Sequence, residues 1–190
     1  MDYLFSSTRR SGTIDWRLLA GGTLLLLLSF GLVSCRGADW FLLKRTLHSK
    51  FNDMHWITTE ELAARLAEKN RPRPVLLDVR TPAEYEVSHL EGARQVDPKA
   101  DAPSAAAGIA KDAPIVTYCS VGYRSGEMAE RLRAAGYTNV QNLEGSIFQW
   151  ANEHRPLVRA EGEQVTRVHP YNAVWGRLLA PEVRAAIPEK

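Results

Sequence analysis

The chain reads as an α/β protein built on a parallel sheet, and three observations predict this. Short apolar runs at 75–79, 115–118 and 140–143 alternate with stretches of helical periodicity, the rhythm of strand–helix–strand units. The run Val75-Leu76-Leu77-Asp78-Val79 is nearly all apolar, as a strand covered on both faces must be. The most reactive residue types follow directly on the end of one run, at Cys119 to Ser125, where a parallel sheet opens its crevice.

Size and charge narrow the field. The 190 residues suffice for one domain with a sizeable core plus tails, and 45% hydrophobic with 24% charged residues is ordinary globular composition. A net charge of +2 gives no argument for a nucleic-acid partner. The five histidines are scattered without ligand spacing, so neither a metal nor a cofactor is expected.

Residues 1–34 read as an export signal. Arg9, Arg10 and Arg17 precede the uncharged stretch 18–35, which contains five consecutive leucines and closes on Leu32-Val33-Ser34-Cys35. That tetrapeptide resembles a bacterial lipobox, in which cleavage precedes a cysteine that becomes lipidated, here Cys35. The expectation is therefore a lipid-anchored protein on the extracytoplasmic (periplasmic) side of the cell membrane. The alternative is a single-pass anchor, for which an 18-residue helix of about 27 Å is marginal against a core of roughly 30 Å.

Residues 35–55 form an amphipathic linker. Trp40, Leu43, Leu47 and Phe51 fall three or four apart with Lys44, Arg45 and Lys50 between them, a helix that packs on the following domain or lies on a membrane surface. Thr58 and Glu61 then form a capping box for a helix whose buried face is Leu62 and Leu66. After the strand at 75–79 comes a weaker one at 93–96. The alanine- and proline-rich stretch 97–114 predicts one short helix near 104–111. Met128, Leu132 and Ala135 mark the next helix, which begins near Ser125 and stops at Gly136. A strand at 140–143 and a helix at 147–152 complete the domain, given as 56–158. In the tail, 159–190, Trp175, Leu178 and Leu179 suggest one short helix and 181–187 another. The tail reads as a packing arm or, less readily, an oligomer contact.

Cys119 ends an apolar run and precedes small, polar and basic residues where a core cysteine would have apolar neighbours. A strand–loop–helix arrangement aims its sulfur at the unpaired N–H groups of a helix N-terminus, with Arg124 adding positive charge; both favour the thiolate, the nucleophilic form. With Cys35 committed to the signal, Cys119 is left a free thiol.

Five ordered pieces carry a resemblance to the rhodanese (sulfurtransferase) family in its single-domain form. They are 76–85 (LLDVRTPAEY), 88–93 (SHLEGA), 119–125 (CSVGYRS), 136–140 (GYTNV), and 143–146 (LEGS) with Trp150. Glu91 stands where the family usually has proline, and Ser146 where it usually has a second glycine. The resemblance implies a single domain with a five-stranded parallel sheet and helices on both faces. It also implies transfer of a sulfane sulfur from a donor such as thiosulfate, through a Cys119 persulfide, to a thiol or cyanide acceptor. Ser120, Val121, Gly122, Tyr123, Arg124 and Ser125 then form the substrate-binding loop, Gly122 for its backbone freedom and Arg124 for the anionic donor or, alternatively, a salt bridge. Ser125 is equally a helix cap. Asp78, Arg80, Glu84 and His89 read as framework residues, with Arg80 a candidate for the site rim. Related folds acting on phosphate or arsenate have five residues between cysteine and arginine; here there are four, which disfavours those activities. The competing functions are a non-catalytic binding module and a single-cysteine redox sensor.

Overall fold

Strand pairing in the computed structural model, which describes residues 37–186, gives a five-stranded, all-parallel sheet. Its strands are β1 (Trp56–Ile57), β2 (Val75–Asp78), β3 (Arg94–Gln95), β4 (Ile115–Tyr118) and β5 (Val140–Leu143), in the order β1-β5-β4-β2-β3. The central strand β4 is buried throughout and pairs with β2 and β5, so its C-terminal end is the middle of the sheet edge.

Helices cover both faces, as expected. Val116 and Tyr118 of β4 point into one apolar cluster with α2 (Thr59–Ala67) and α6 (Ser146–Asn152). Ile115 points into the other, with α1 (37–50), α4 (Ala102–Ala105) and α5 (Tyr123–Ala134). The alternation is the period of two of an extended chain. A short helix, α3 (Pro82–Val87), follows β2 and is capped by Thr81 and Glu84, as Thr58 and Glu61 cap α2.

Helix α1 belongs to the compact unit that starts at Ala38. It buries Leu47, and Phe51 follows it into the core, while Phe41 and Leu42 remain exposed at 63% and 59%. Phe51 lies so close to α5 that a Cβ on Gly126 would fall 2.7 Å from its ring. Among the described residues no helix is long and apolar enough to cross a membrane. The expected export signal and Cys35 lie outside the described residues.

Three local expectations are corrected. The helix placed near 104–111 is α4, four residues starting at Ala102, because Asp101 caps it and Gly108 takes a left-handed backbone (φ 75°) that ends helical continuation. Helix α5 starts at Tyr123 rather than near Ser125. The tail adds one strand, β7 (Gln164–Val165), antiparallel to β6 (Leu157–Val158) at the end of the domain, and its two expected helices are single 3-10 turns, Trp175–Leu178 and Pro181–Val183. Ile187 lies outside the described residues.

The tail is seated on the core. Val168, Leu179 and Val183 are buried, and Val168 exchanges backbone hydrogen bonds with Val183 and Ala185. Leu178 O accepts from Asn152 Nδ2 at 2.8 Å and from Trp40 Nε1 at 3.3 Å, so the tail closes onto α6 and α1 together.

Candidate active site

The loop 119–122 leaves β4 and enters α5, and it is held from behind. Ile147 N–H donates to Cys119 O and Phe148 N–H to Ser120 O, at 3.2 and 3.1 Å. A trans peptide points its N–H opposite to its C=O, so the Ser120 and Val121 amides face away from α6. Cys119 N–H donates to Ser146 Oγ at 3.3 Å, and Asn142 Nδ2 to Gly122 O at 2.9 Å. Ser146, standing where a glycine is usual, takes the left-handed region (φ 49°), so the substitution keeps the turn at the cost of local strain.

Gly122 adopts φ 114°, which an L side chain rarely reaches, and its N–H donates to Cys119 Sγ at 3.2 Å. Among the loop amides this is the one bonded to the sulfur in the described residues. The N–H groups of Tyr123 and Arg124 open α5, where a helix supplies no carbonyl partner. Cys119 is a free thiol, 1% exposed, at the base of a cavity of about 130 Å³. Ser120, Val121, Tyr123, Arg124 and the tail residues Tyr171 and Trp175 form the rest of its wall.

Arg124 lines the cavity with both terminal nitrogens engaged. Its Nη1 and Nη2 fork onto Glu84 at 2.8 Å each, Nη2 also donates to Ser120 Oγ at 2.9 Å, and its face lies 4.8 Å from the centre of the Tyr171 ring. The salt-bridge alternative is the observed one. Burial pushes the Glu84 carboxyl up, but the hydrogen bond and charge of Arg124, the Thr81 amide and Arg80 outweigh it and hold the pKa at about 2. Burial pulls Arg124 down, and its hydrogen bond to Glu84 with the charges of Cys119 and Glu84 more than restores it, so it stays charged. Ser120 Oγ donates to Glu84 Oε1, placing its hydroxyl inside this ion pair.

Two expected roles are not met. Arg80 does not reach the rim: it is wholly buried, bonded to both oxygens of Asp78 and to Ser88 O, because a guanidinium enclosed by β2 and α3 needs its carboxylate beside it. Ser125 is not the cap of α5; it lies inside the first turn, wholly buried, and its carbonyl accepts from Thr117 Oγ1 at 3.1 Å. The cap position is Gly122. His89 is a framework residue, its Nδ1 3.1 Å from Tyr85 O and its ring stacked on Tyr85.

Glu84, Tyr171 and Trp175 were not among the expected site residues. Glu84 had a signal, its position three residues after Thr81 in a capping box, but that signal reports only a helix start. For Tyr171 and Trp175 the sequence has no periodic pattern that points to the loop 50 residues upstream.

Comparison with known proteins agrees with this architecture. Residues 58–153 match the model of the rhodanese-like domain. A sulfurtransferase of Allochromatium vinosum is 38% identical over 106 residues, which is 56% of this chain and 96% of that protein. A probable adenylyltransferase/sulfurtransferase, MoeZ of Mycobacterium tuberculosis, is 35% identical over 83 residues, 43% of this chain and 21% of its own length. The crystal structure of the Alr3790 protein from Anabaena sp. superposes with a TM-score of 0.51 at 25% identity, over 55% of this chain and 83% of that one. With its parallel five-stranded sheet and its cysteine loop at the C-terminal end of the central strand, the chain belongs to the rhodanese-like domain family.

Proposed function

We propose that this protein is a sulfurtransferase that carries a sulfane sulfur on Cys119 as a persulfide. The observation that carries the reading is the Cys119 sulfur at the base of a cavity with the Gly122 amide donating to it at 3.2 Å. The relative named a sulfurtransferase, spanned almost entirely by this chain, supports the reaction class.

In the first half-reaction the Cys119 thiolate attacks the outer sulfur of the donor. The new Sγ–S bond forms as the donor's S–S bond breaks, and the electron pair leaves with sulfite when the donor is thiosulfate. In the second, a thiol or cyanide attacks the outer sulfur and Cys119 departs as thiolate. Neither step needs an oxidant, a metal or a cofactor. The loop amides and the N-terminus of α5 favour negative charge on sulfur in both steps.

The apolar stretch ending at Cys35 supports a lipid-anchored location on the extracytoplasmic side of the membrane, and the exposed Phe41 and Leu42 suit a helix that starts near a surface. Intact mass after bacterial expression tests the anchor: an unprocessed N-terminus rules it out.

The test of function is thiosulfate-to-cyanide transfer by the purified full-length chain beside Cys119→Ser, with protein mass read after donor alone. The wild type is expected to turn over and gain one sulfur, the variant to do neither. A folded wild type that gains no sulfur from thiosulfate or from organic persulfides refutes the reading and leaves a binding module.

A further inference from the structure

The cavity above Cys119 is not made by the family segment alone. Two of its seven lining residues, Tyr171 and Trp175, come from the tail, beyond residue 153. The tail backbone is built to present them. Tyr171 takes a left-handed backbone (φ 63°), with its N–H donating to His169 Nδ1 at 3.0 Å. Asn172 Oδ1 accepts from the amides of Val174 and Trp175, both at 3.0 Å, which folds the turn that carries the indole. Gly176 permits that turn to close, because a Cβ there would fall 2.8 Å from Pro170 Cβ. Leu178 and Leu179 then lock the turn into the core.

The charge inside this chamber is balanced. Arg124 is the one cationic side chain among the lining residues, and both its arms are committed to Glu84, which stays a carboxylate down to about pH 2, so the pair offers no net positive charge. Its face is covered by Tyr171. Lys50 reaches the rim, with Nζ 2.9 Å from Tyr123 Oη, but it is an exposed charge that solvent and salt screen. The remaining wall is Ser120, whose hydroxyl is taken up by Glu84 and Arg124, Val121, and the rings of Tyr123, Tyr171 and Trp175, the last three 43%, 45% and 36% exposed. A dianion such as thiosulfate would be stripped of water here without an uncommitted cation to replace it. A donor with an apolar arm and a single charge meets rings on which the arm can rest.

We infer that the tail is a specificity wall: Tyr171 and Trp175 make the Cys119 chamber select sulfane-sulfur carriers with an apolar organic arm and at most one charge over thiosulfate. The inference rests on the sulfurtransferase reading and names its donor class. For a carrier R–S–SH, the Cys119 thiolate takes the outer sulfur with its proton, the carrier's S–S bond breaks, and the electron pair leaves with R–S⁻.

Benzenethiosulfonate and thiosulfate are the paired probes, because the first replaces one charged oxygen of the second by a phenyl ring. The Cys119 thiolate attacks the terminal sulfur of either, with benzenesulfinate or sulfite leaving. The full-length wild type is expected to show a kcat/KM for benzenethiosulfonate about tenfold or more above that for thiosulfate, the scale of burying part of an aromatic ring. Tyr171→Ala and Trp175→Ala, checked for folding by thermal melting, are expected to lower that ratio at least about fivefold. A wild type that prefers thiosulfate, or a ratio unmoved in both folded variants, overturns the wall while leaving the sulfurtransferase intact. The wild-type ratio needs no variant, so a substitution that fails to fold leaves that criterion standing. If neither donor sulfurates Cys119, the parent reading fails and this one with it.

Discussion

Replacing Glu84 by glutamine removes one charge from a site where three groups depend on it. Glu84 accepts both arms of Arg124, the Ser120 hydroxyl and the Thr81 amide, and is 2% exposed. Its pKa is held at about 2 against an unfolded value near 4.5. A shift of about 2.5 units at 1.36 kcal/mol per unit is about 3 kcal/mol of native stability. Because the folded pKa is the lower one, this stability is fully present above about pH 4.5 and drains away as pH falls toward 2. Glutamine mimics the protonated carboxyl, so the gap between wild type and Glu84→Gln should follow the same curve. It should be about 3 kcal/mol at pH 7 and about 2 at pH 3.5, where linkage has consumed part of it. Urea unfolding of both proteins at pH 7, 5 and 3.5 reads the gap directly. A gap under about 1 kcal/mol at pH 7, or one that stays constant across the series, would show that the ion pair does not hold the site together.

Two further substitutions test the supports of the loop. Gly122→Ala forces an L side chain to φ 114° with its Cβ 3.4 Å from Leu47 Cδ1, and should draw the amide off Cys119 Sγ. Expected are about 1–3 kcal/mol of destabilisation and at least about a tenfold loss in the rate of sulfur uptake by single-turnover mass measurement; an unchanged rate contradicts the role given to this amide. Asp78→Ala leaves the Arg80 guanidinium buried without its carboxylate, both now 0% exposed. About 3–5 kcal/mol should be lost in chemical unfolding, and a loss below about 1 kcal/mol contradicts a buried pair.

The parts of this molecule governed by neighbours in the chain were legible in the sequence. The strand–cysteine–helix unit, the Thr58 capping box and the doubly covered strand at 75–78 all declare themselves within a dozen residues. So did the framework role of Asp78, whose partner Arg80 is two positions away. What stayed hidden depends on distant partners. Glu84 reads as a helix start because Arg124 is 40 positions downstream, and nothing local announces their fork. Tyr171 and Trp175 reach Cys119 through a tail whose direction is decided by contacts of Leu178 with α1 and α6. The helix boundary at Tyr123 is hidden in the sequence for a different reason. Gly122 caps it by backbone conformation alone, so the serine two positions into the helix looked like the better cap.

The join between Trp40 and Leu178 has a consequence for how the protein comes into being. The hydrophobic core draws on Leu47 and Phe51 before the family segment and on Val168, Leu179 and Val183 after it. A chain emerging in order from its N-terminus therefore cannot finish this core when residue 153 appears. Until about residue 183 is free, the faces of α1 and α6 that receive the tail stay bare, and the cysteine chamber lacks its outer side. The nascent protein thus passes through an interval in which its sulfur loop exists without the shelter that residues 168–183 bring.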